Sequence, residues 1–251
     1  MGFDKNVFIN CPFDDKYLQL LRPLLFTVIY LGLTPRITLE ALDSAESRIE
    51  KIVALIRQSR FGIHDLSRIK AEKRGEYYRF NMPFELGLDM GCRRFKGGKW
   101  SKKKCLILEA RKYRYQAALS DLSNSDIEVH RNAPVEVVRV VRNWLSAQAR
   151  LSAPGPAKIW GAFNDFMAAN YDDLIAQGYS PGLLALVLDF AVLCSLKCRS
   201  LGDPSGSSLR CRVSKASPLA SDSSASASFR GMIVPGAARR RRRAVLVTDR
   251  G

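Results

Sequence analysis

Histidine is scarce in this chain of 251 residues, which holds two, and its six cysteines form no Cys-x-x-Cys pair and have no histidine at metal-ligand spacing. That scarcity speaks against a zinc site, and no metal is expected. Cys11, Cys92, Cys105, Cys194, Cys198 and Cys211 sit mostly inside apolar runs and read as reduced core thiols of a cytosolic protein. Long hydrophobic runs are missing too. The longest, Leu183 to Cys194, has 12 residues and contains Asp189, which is too short to span a bilayer. No basic-then-apolar leader opens the sequence, because Asp4 and Lys5 run directly into a strand-like segment. A cytoplasmic protein with no membrane partner is expected.

Acidic residues are outnumbered, 24 against 40 basic, for a formal charge of +16. The imbalance is uneven. Residues 197–251 hold 12 basic and 3 acidic residues (+9), leaving 28 against 21 (+7) in residues 1–196. The same last segment has 11 serines, 10 arginines (Arg239–Arg243 in one run) and a single aromatic, Phe229. Such a composition cannot bury enough apolar area to offset the entropy of ordering it, so a disordered basic tail is expected from about Lys197. It reads either as an arm for an acidic partner or as the out-of-frame end of a GC-rich gene. With the tail set aside, no predicted helix carries a basic stripe with interleaved aromatics, and nucleic acid is not an expected partner. The overall composition, 47% hydrophobic and 25% charged, is that of a globular chain.

Residues 1–150 alternate strand and helix signals. Asn6–Asn10 is a β-rich run ended by the turn-forming Cys11-Pro-Phe-Asp-Asp15. Leu18, Leu21, Leu25 and Val28 then share a helix face that stops at Gly32, with Pro23 predicting a kink or the true first turn. Ile37 lies in a second extended segment. Ser47 is placed to cap a helix carrying Ile49, Ile52, Val53 and Ile56. Arg60–His64 is a third strand, followed by a polar loop through Tyr78. Asn81 is placed to cap the next helix, with Pro83 in its first turn. A basic loop, Arg93 to Lys104, leads to the all-apolar Cys105–Leu108. Its stretch Lys99–Lys104 reads as solvated. Ile127–His130 is a fifth strand, and Val137, Val138, Val141, Trp144 and Leu145 line a last helix. This alternation predicts a flavodoxin-like parallel sheet of order 2-1-3-4-5 with helices on both faces. Residues 151–196 read as a helical extension: one amphipathic helix with Ile159, Phe163, Phe166 and Met167, and a second, apolar one from Pro181 to Leu196.

In such a sheet a ligand sits beyond the carboxyl ends of the strands, at the switch point between the first and third. That rule nominates Asn10, Pro12 and Phe13 after the first strand and His64, Asp65, Ser67 and Arg68 after the third. It adds Arg79, Asn81 and Glu85 around the next helix start. Asn10 is placed to line a base or ribose. Arg68 and Arg79 suit a phosphate or pyrophosphate. Glu85 also falls where a helix dipole favours an anion. His64 reads equally as a packed, hydrogen-bonded strand-end residue, and Asp65 as an acceptor for loop amides. Asp89, one turn after Glu85, allows a paired-carboxylate site, although a solvated position is the simpler reading.

The segments Val7-Phe-Ile-Asn-Cys-Pro-Phe-Asp-Asp15, Ile52–Ser67 and Phe84-Glu85-Leu86 together resemble TIR domains. Phe84-Glu-Leu-Gly87 ahead of Lys104–Leu108 also resembles nucleoside 2-deoxyribosyltransferases. Both resemblances cover roughly residues 5–145, and both imply this fold and a Glu acting on an N-glycosidic bond. The chain departs from TIR domains at Cys11-Pro12-Phe13, where many have a Ser/Thr-rich loop, and at Met82-Pro83-Phe84, where a Trp-Cys pair is common. The TIR resemblance implies NAD+ as substrate with no further cofactor, Glu85 as the catalytic carboxylate, a bacterial signalling or defence role, and self-association on activation. The second resemblance implies a nucleoside substrate, whose neutral base needs a general acid, for which Asp65 is nearest. A nucleotide-sensing module without catalysis is the third expectation.

Overall fold

The structure, a computed structural model, describes residues 2–38, 45–68, 80–117, 119–122 and 126–176. Arg79, most of the loop before it, the apolar segment from Pro181 and the tail from Lys197 lie outside the described residues.

Five strands form one parallel sheet: β1 (Asn6–Asn10), β2 (Thr34–Arg36), β3 (Phe61–Asp65), β4 (Lys104–Glu109) and β5 (Ile127–Val129), in the order β2-β1-β3-β4-β5. The expected α/β flavodoxin-like architecture is therefore present. The strands alternate with α1 (Leu18–Tyr30), α2 (Arg48–Gln58) and α3 (Asn81–Phe95), and α4 (Pro134–Ala149) and α5 (Pro156–Ala176) follow β5.

Side-chain alternation divides the sheet into two chemically different faces. Val7, Ile9, Phe61, Ile63, Leu106 and Leu108 point into the main core with α1, α4 and α5. On the other face Phe8 packs with Ile52, Leu55 and Ile56 of α2, and Ile107 packs with Met82 and Leu86 of α3. Gly62 stands between Phe8 and Cys105 in register, so a strip of this second face has no side chain of its own. Buried polar groups occupy that strip.

Three local expectations meet the structure differently. Ser47 caps α2 in a full capping box, its hydroxyl accepting from the Glu50 amide while Glu50 reaches back to the Ser47 amide. Asn81 does not cap α3. The chain is already helical at Phe80, whose carbonyl accepts from the Phe84 amide at 3.0 Å, so Asn81 is the first helical residue and stays exposed. Pro23 stands inside α1 rather than at its start. Turns at Asp14–Tyr17 begin the helix earlier, and the Pro23 carbonyl accepts a bond from the Thr27 hydroxyl at 2.7 Å.

α1 is apolar nearly all round, and α5 supplies the reason. Phe163 and Phe166 contact Phe26 of α1 with ring centroids 5.5 and 5.6 Å apart, and Ile159 is fully buried in the same core. α5 thus covers the side of α1 that the sheet and α4 leave open. The turn into it is held by Arg142 of α4, which donates to the carbonyls of Ala153 (2.5 Å) and Pro154 (2.7 Å). No helix among the described residues is long and apolar enough to cross a membrane.

Candidate active site

Every central strand ends on a polar residue that is buried: Asn10 on β1, Asp65 on β3 and Glu109 on β4, with His130 directly after β5. A parallel sheet buried on both faces has no structural need for such a row, and the row lies at the edge where open α/β sheets bind ligands. Alternation sends its members to opposite faces.

On the α1 face, Asp65 is saturated. It accepts from the Tyr17 hydroxyl and from the Ser67 amide (2.7 Å), and its Oδ2 lies 3.1 Å from His130 Nε2. Burial alone would raise its pKa, but His130 above all, with Ser67 and Tyr17, outweighs burial and holds the carboxyl below its ordinary range. Asp65 is a fixed anion. The Asn132 amide donates to His130 Nδ1 (3.0 Å), which places the His130 proton on Nε2, facing Asp65. Beside this cluster, Arg114 joins Glu109 (2.5 Å) to the Ser67 carbonyl, tying the end of β4 to the loop after β3. Arg68 reaches back across the sheet to Asp14 (3.5 Å), whose Oδ1 also accepts from the Tyr17 amide.

Glu85, on α3, is the opposite case. It is buried, yet among the described residues no group hydrogen-bonds its carboxylate. Burial raises its pKa to about 7, with Arg48 at the start of α2 pulling the other way. The thiol of Cys11, in the loop after β1, registers both carboxylates: burial pushes it up, and the charges of Asp65 and then Glu85 push it further. Cys11 thus feels one carboxyl held ionised and another, Glu85, raised to about 7. Two carboxyl groups with pKa values driven apart by their surroundings are a recurring basis for dividing acid and base roles.

Beneath Glu85, along the strip opened by Gly62, runs a buried chain of polar side chains. The Asn10 carboxamide nitrogen donates to the Met82 carbonyl (3.0 Å) and contacts His64 Nδ1 (3.1 Å). His64 Nε2 lies 2.9 Å from Asp89 Oδ2, and Asp89 Oδ1 lies 2.9 Å from the Lys103 ammonium. Lys103 also donates to the carbonyls of Ile56 (2.9 Å) and Ser59, at the end of α2, where a cation complements the helix dipole. A Cβ on Gly62 would stand 2.1 Å from Asp89 Oδ2 and 2.9 Å from His64 Nε2, so this pair requires glycine there. His64, Asp89 and Cys105 bring three potential metal-ligand atoms within 4.8 Å of one another. The group does not suit a metal, because the Lys103 ammonium already neutralises Asp89 and burial pushes the Cys105 thiol up.

Asn10, Cys11, His64, Asp65, Ser67 and Glu85 thus meet at the carboxyl ends of β1 and β3. Pro12 is buried in the same loop, and Phe13 packs against the main core. Arg68 is held at the rim by Asp14, and Asn81 is exposed at the start of α3. Two expectations are corrected: Asp89 and Lys103 are not solvated, each being 2% exposed, because they neutralise each other. Sequence reasoning missed Tyr17, Arg48, Lys103, Glu109, Arg114 and His130. The strand-end rule that found Asn10 and Asp65 would have found Glu109 and His130 as well. Nothing local marked Tyr17 or Lys103.

The chain matches no protein-family model, no curated protein and no solved structure. The geometry of the site carries the functional argument.

Proposed function

We propose that the strand-end site cleaves the N-glycosidic bond of a nucleotide, with NAD+ as the substrate and Glu85 as the catalytic carboxylate. The observation that carries this reading is the Glu85 carboxyl: buried, without a hydrogen-bond partner among the described residues, and raised to about 7. Breaking the bond between the ribose anomeric carbon and the nicotinamide nitrogen builds positive charge on the sugar, and a carboxylate held beside it stabilises that charge. The electron pair of the broken bond leaves with nicotinamide, which becomes neutral and needs no acid. Water then bonds to the anomeric carbon and loses a proton, giving ADP-ribose, nicotinamide and H+. In this scheme Glu85 works ionised, Asp65 works as a fixed anion, and Arg48 and Arg68 are cations among the described residues that a pyrophosphate would draw on. The TIR resemblance supports self-association as the activating step.

The same raised pKa favours a second reading. A neutral nucleoside needs its base protonated as it leaves, and protonated Glu85, not the ionised Asp65, is the acid available for it.

The test is incubation of the full-length protein with NAD+ at high protein concentration, followed by chromatography for nicotinamide and ADP-ribose. Wild type should form both, and Glu85→Gln should form less than about a hundredth as much. Absence of product from the wild type, or equal product from the variant, overturns the hydrolase reading. Binding that persists in Glu85→Gln with no product from either protein favours a sensing module.

A further inference from the structure

The hydrogen bonds of the buried chain have only one consistent direction. The Met82 carbonyl can only accept, so the Asn10 carboxamide must turn its NH2 group toward it. The second hydrogen of that NH2 group then faces His64 Nδ1, which must be the unprotonated ring nitrogen. The ring proton is therefore on Nε2 and is given to Asp89, whose other oxygen faces the Lys103 ammonium. Each end of the chain is anchored on main-chain carbonyls: Met82 in the first turn of α3, and Ile56 and Ser59 at the end of α2. One atom is left over. Asn10 Oδ1 is buried and has no hydrogen-bond partner among the described residues; Asn10 ends β1, next in sequence to Cys11, and its carboxamide meets Met82, about one helical turn before Glu85 on α3.

We propose that the Met82 carbonyl sets the Asn10 carboxamide in one of its two flip states, and that Lys103, Asp89 and His64 are positioning residues that hold that state from the other end of the chain. The strand-end site then offers its ligand a hydrogen-bond acceptor, and no donor, at this point. The matching ligand group is a hydroxyl or N–H, such as a ribose hydroxyl of a nucleotide, and not a phosphate oxygen, which would meet an acceptor with an acceptor. The identity of the ligand rests on the nucleotide reading above, whereas the locked orientation does not.

The orientation is tested on the full-length chain with nitrogen-15-labelled histidine at a pH of about 8. Two histidines make the spectrum assignable with a single His130→Gln variant. His64 should show a protonated Nε2 and an unprotonated Nδ1. A proton on Nδ1 overturns the proposal, since only Asn10 Oδ1 could receive it. In Lys103→Met, which leaves Asp89 without its cation, the Nε2 tautomer should be less fully populated although Met82 still favours it, and an unchanged spectrum removes Lys103 from the positioning set.

The ligand half is tested by calorimetric titration with ADP-ribose. Asn10→Leu should bind about tenfold more weakly than wild type, the loss expected for one hydrogen bond with a partner left unpaired. Equal affinity, or no binding by the wild type, overturns the assignment of a donor-bearing ribose. If Asn10→Leu does not fold, the wild-type Asn10 NH2 signals decide the question. They should exchange slowly and stay in place on ADP-ribose addition, and a large shift would mean that the donor side meets the ligand. None of these measurements reads turnover, so a protein that binds ADP-ribose but cleaves nothing refutes the hydrolase reading and leaves this one intact.

Discussion

At the scale of single residues, the decisive contrast is between Asp89, whose charge the fold compensates, and Glu85, whose carboxylate has no hydrogen-bond partner among the described residues. Asp89 is surrounded by His64 and Lys103, which outweigh burial and hold its pKa down. Removing one member of such a buried pair leaves an uncompensated charge, so Lys103→Met should destabilise the protein by about 3–5 kcal/mol in denaturant melts. Gly62→Ala should cost about 1–3 kcal/mol by the same measurement, because the new methyl group would take the place of Asp89 Oδ2. Glu85 should behave in the opposite way. Its folded pKa, about 7, lies above the ordinary glutamate value of 4.5, so the native state holds the proton more tightly and loses stability as pH rises between those values. At about 1.4 kcal/mol per pKa unit, the loss is on the order of 3 kcal/mol. Glu85→Gln keeps the neutral form at every pH. It should therefore melt higher than wild type at pH about 8 and equally at pH about 4, and an unchanged difference across that range would contradict the assigned burial cost.

At the scale of elements, strands and helices were legible wherever their signal was local. The apolar run Cys105–Leu108 marked β4, the spacing of Ile52 and Ile56 marked α2, and Ser47 marked where α2 begins. The start of α3 was misread because Asn81 is a good capping residue in isolation, whereas the preceding turn at Phe80 had already entered helical geometry. Half of the site was legible for the same reason: Asn10, Asp65 and Glu85 occupy strand ends and a helix start. The partners that give them their properties come from 25 to 65 residues away, as with His64 and Asp89 or Asp65 and His130, and no spacing rule reaches that far. α5 gives a further element-scale expectation. Phe163 meets Phe26 inside the main core, so Phe163→Ala should cost about 3–5 kcal/mol and lower the melting of the whole α/β unit in one transition. A separate early transition confined to α5 would show that the helix is an accessory.

At the scale of the whole molecule, the pH dependence of activity separates the two chemical readings, because they need opposite protonation states of one residue. If Glu85 stabilises a cationic sugar while nicotinamide leaves from NAD+, kcat/KM should rise with pH through about 7. If Glu85 protonates the departing base of a neutral nucleoside, kcat/KM should fall through the same value. A flat profile between pH about 6 and 8 would remove Glu85 from both schemes. The grip of Lys103 on the last carbonyls of α2 and on Asp89 of α3 also bears on how the molecule opens. Neither helix can lift from the sheet alone without stranding an ammonium or a carboxylate in a dry interior. The amides of α2 and α3 should therefore share one opening free energy in native-state hydrogen exchange, a single cooperative unit that carries Glu85 with it.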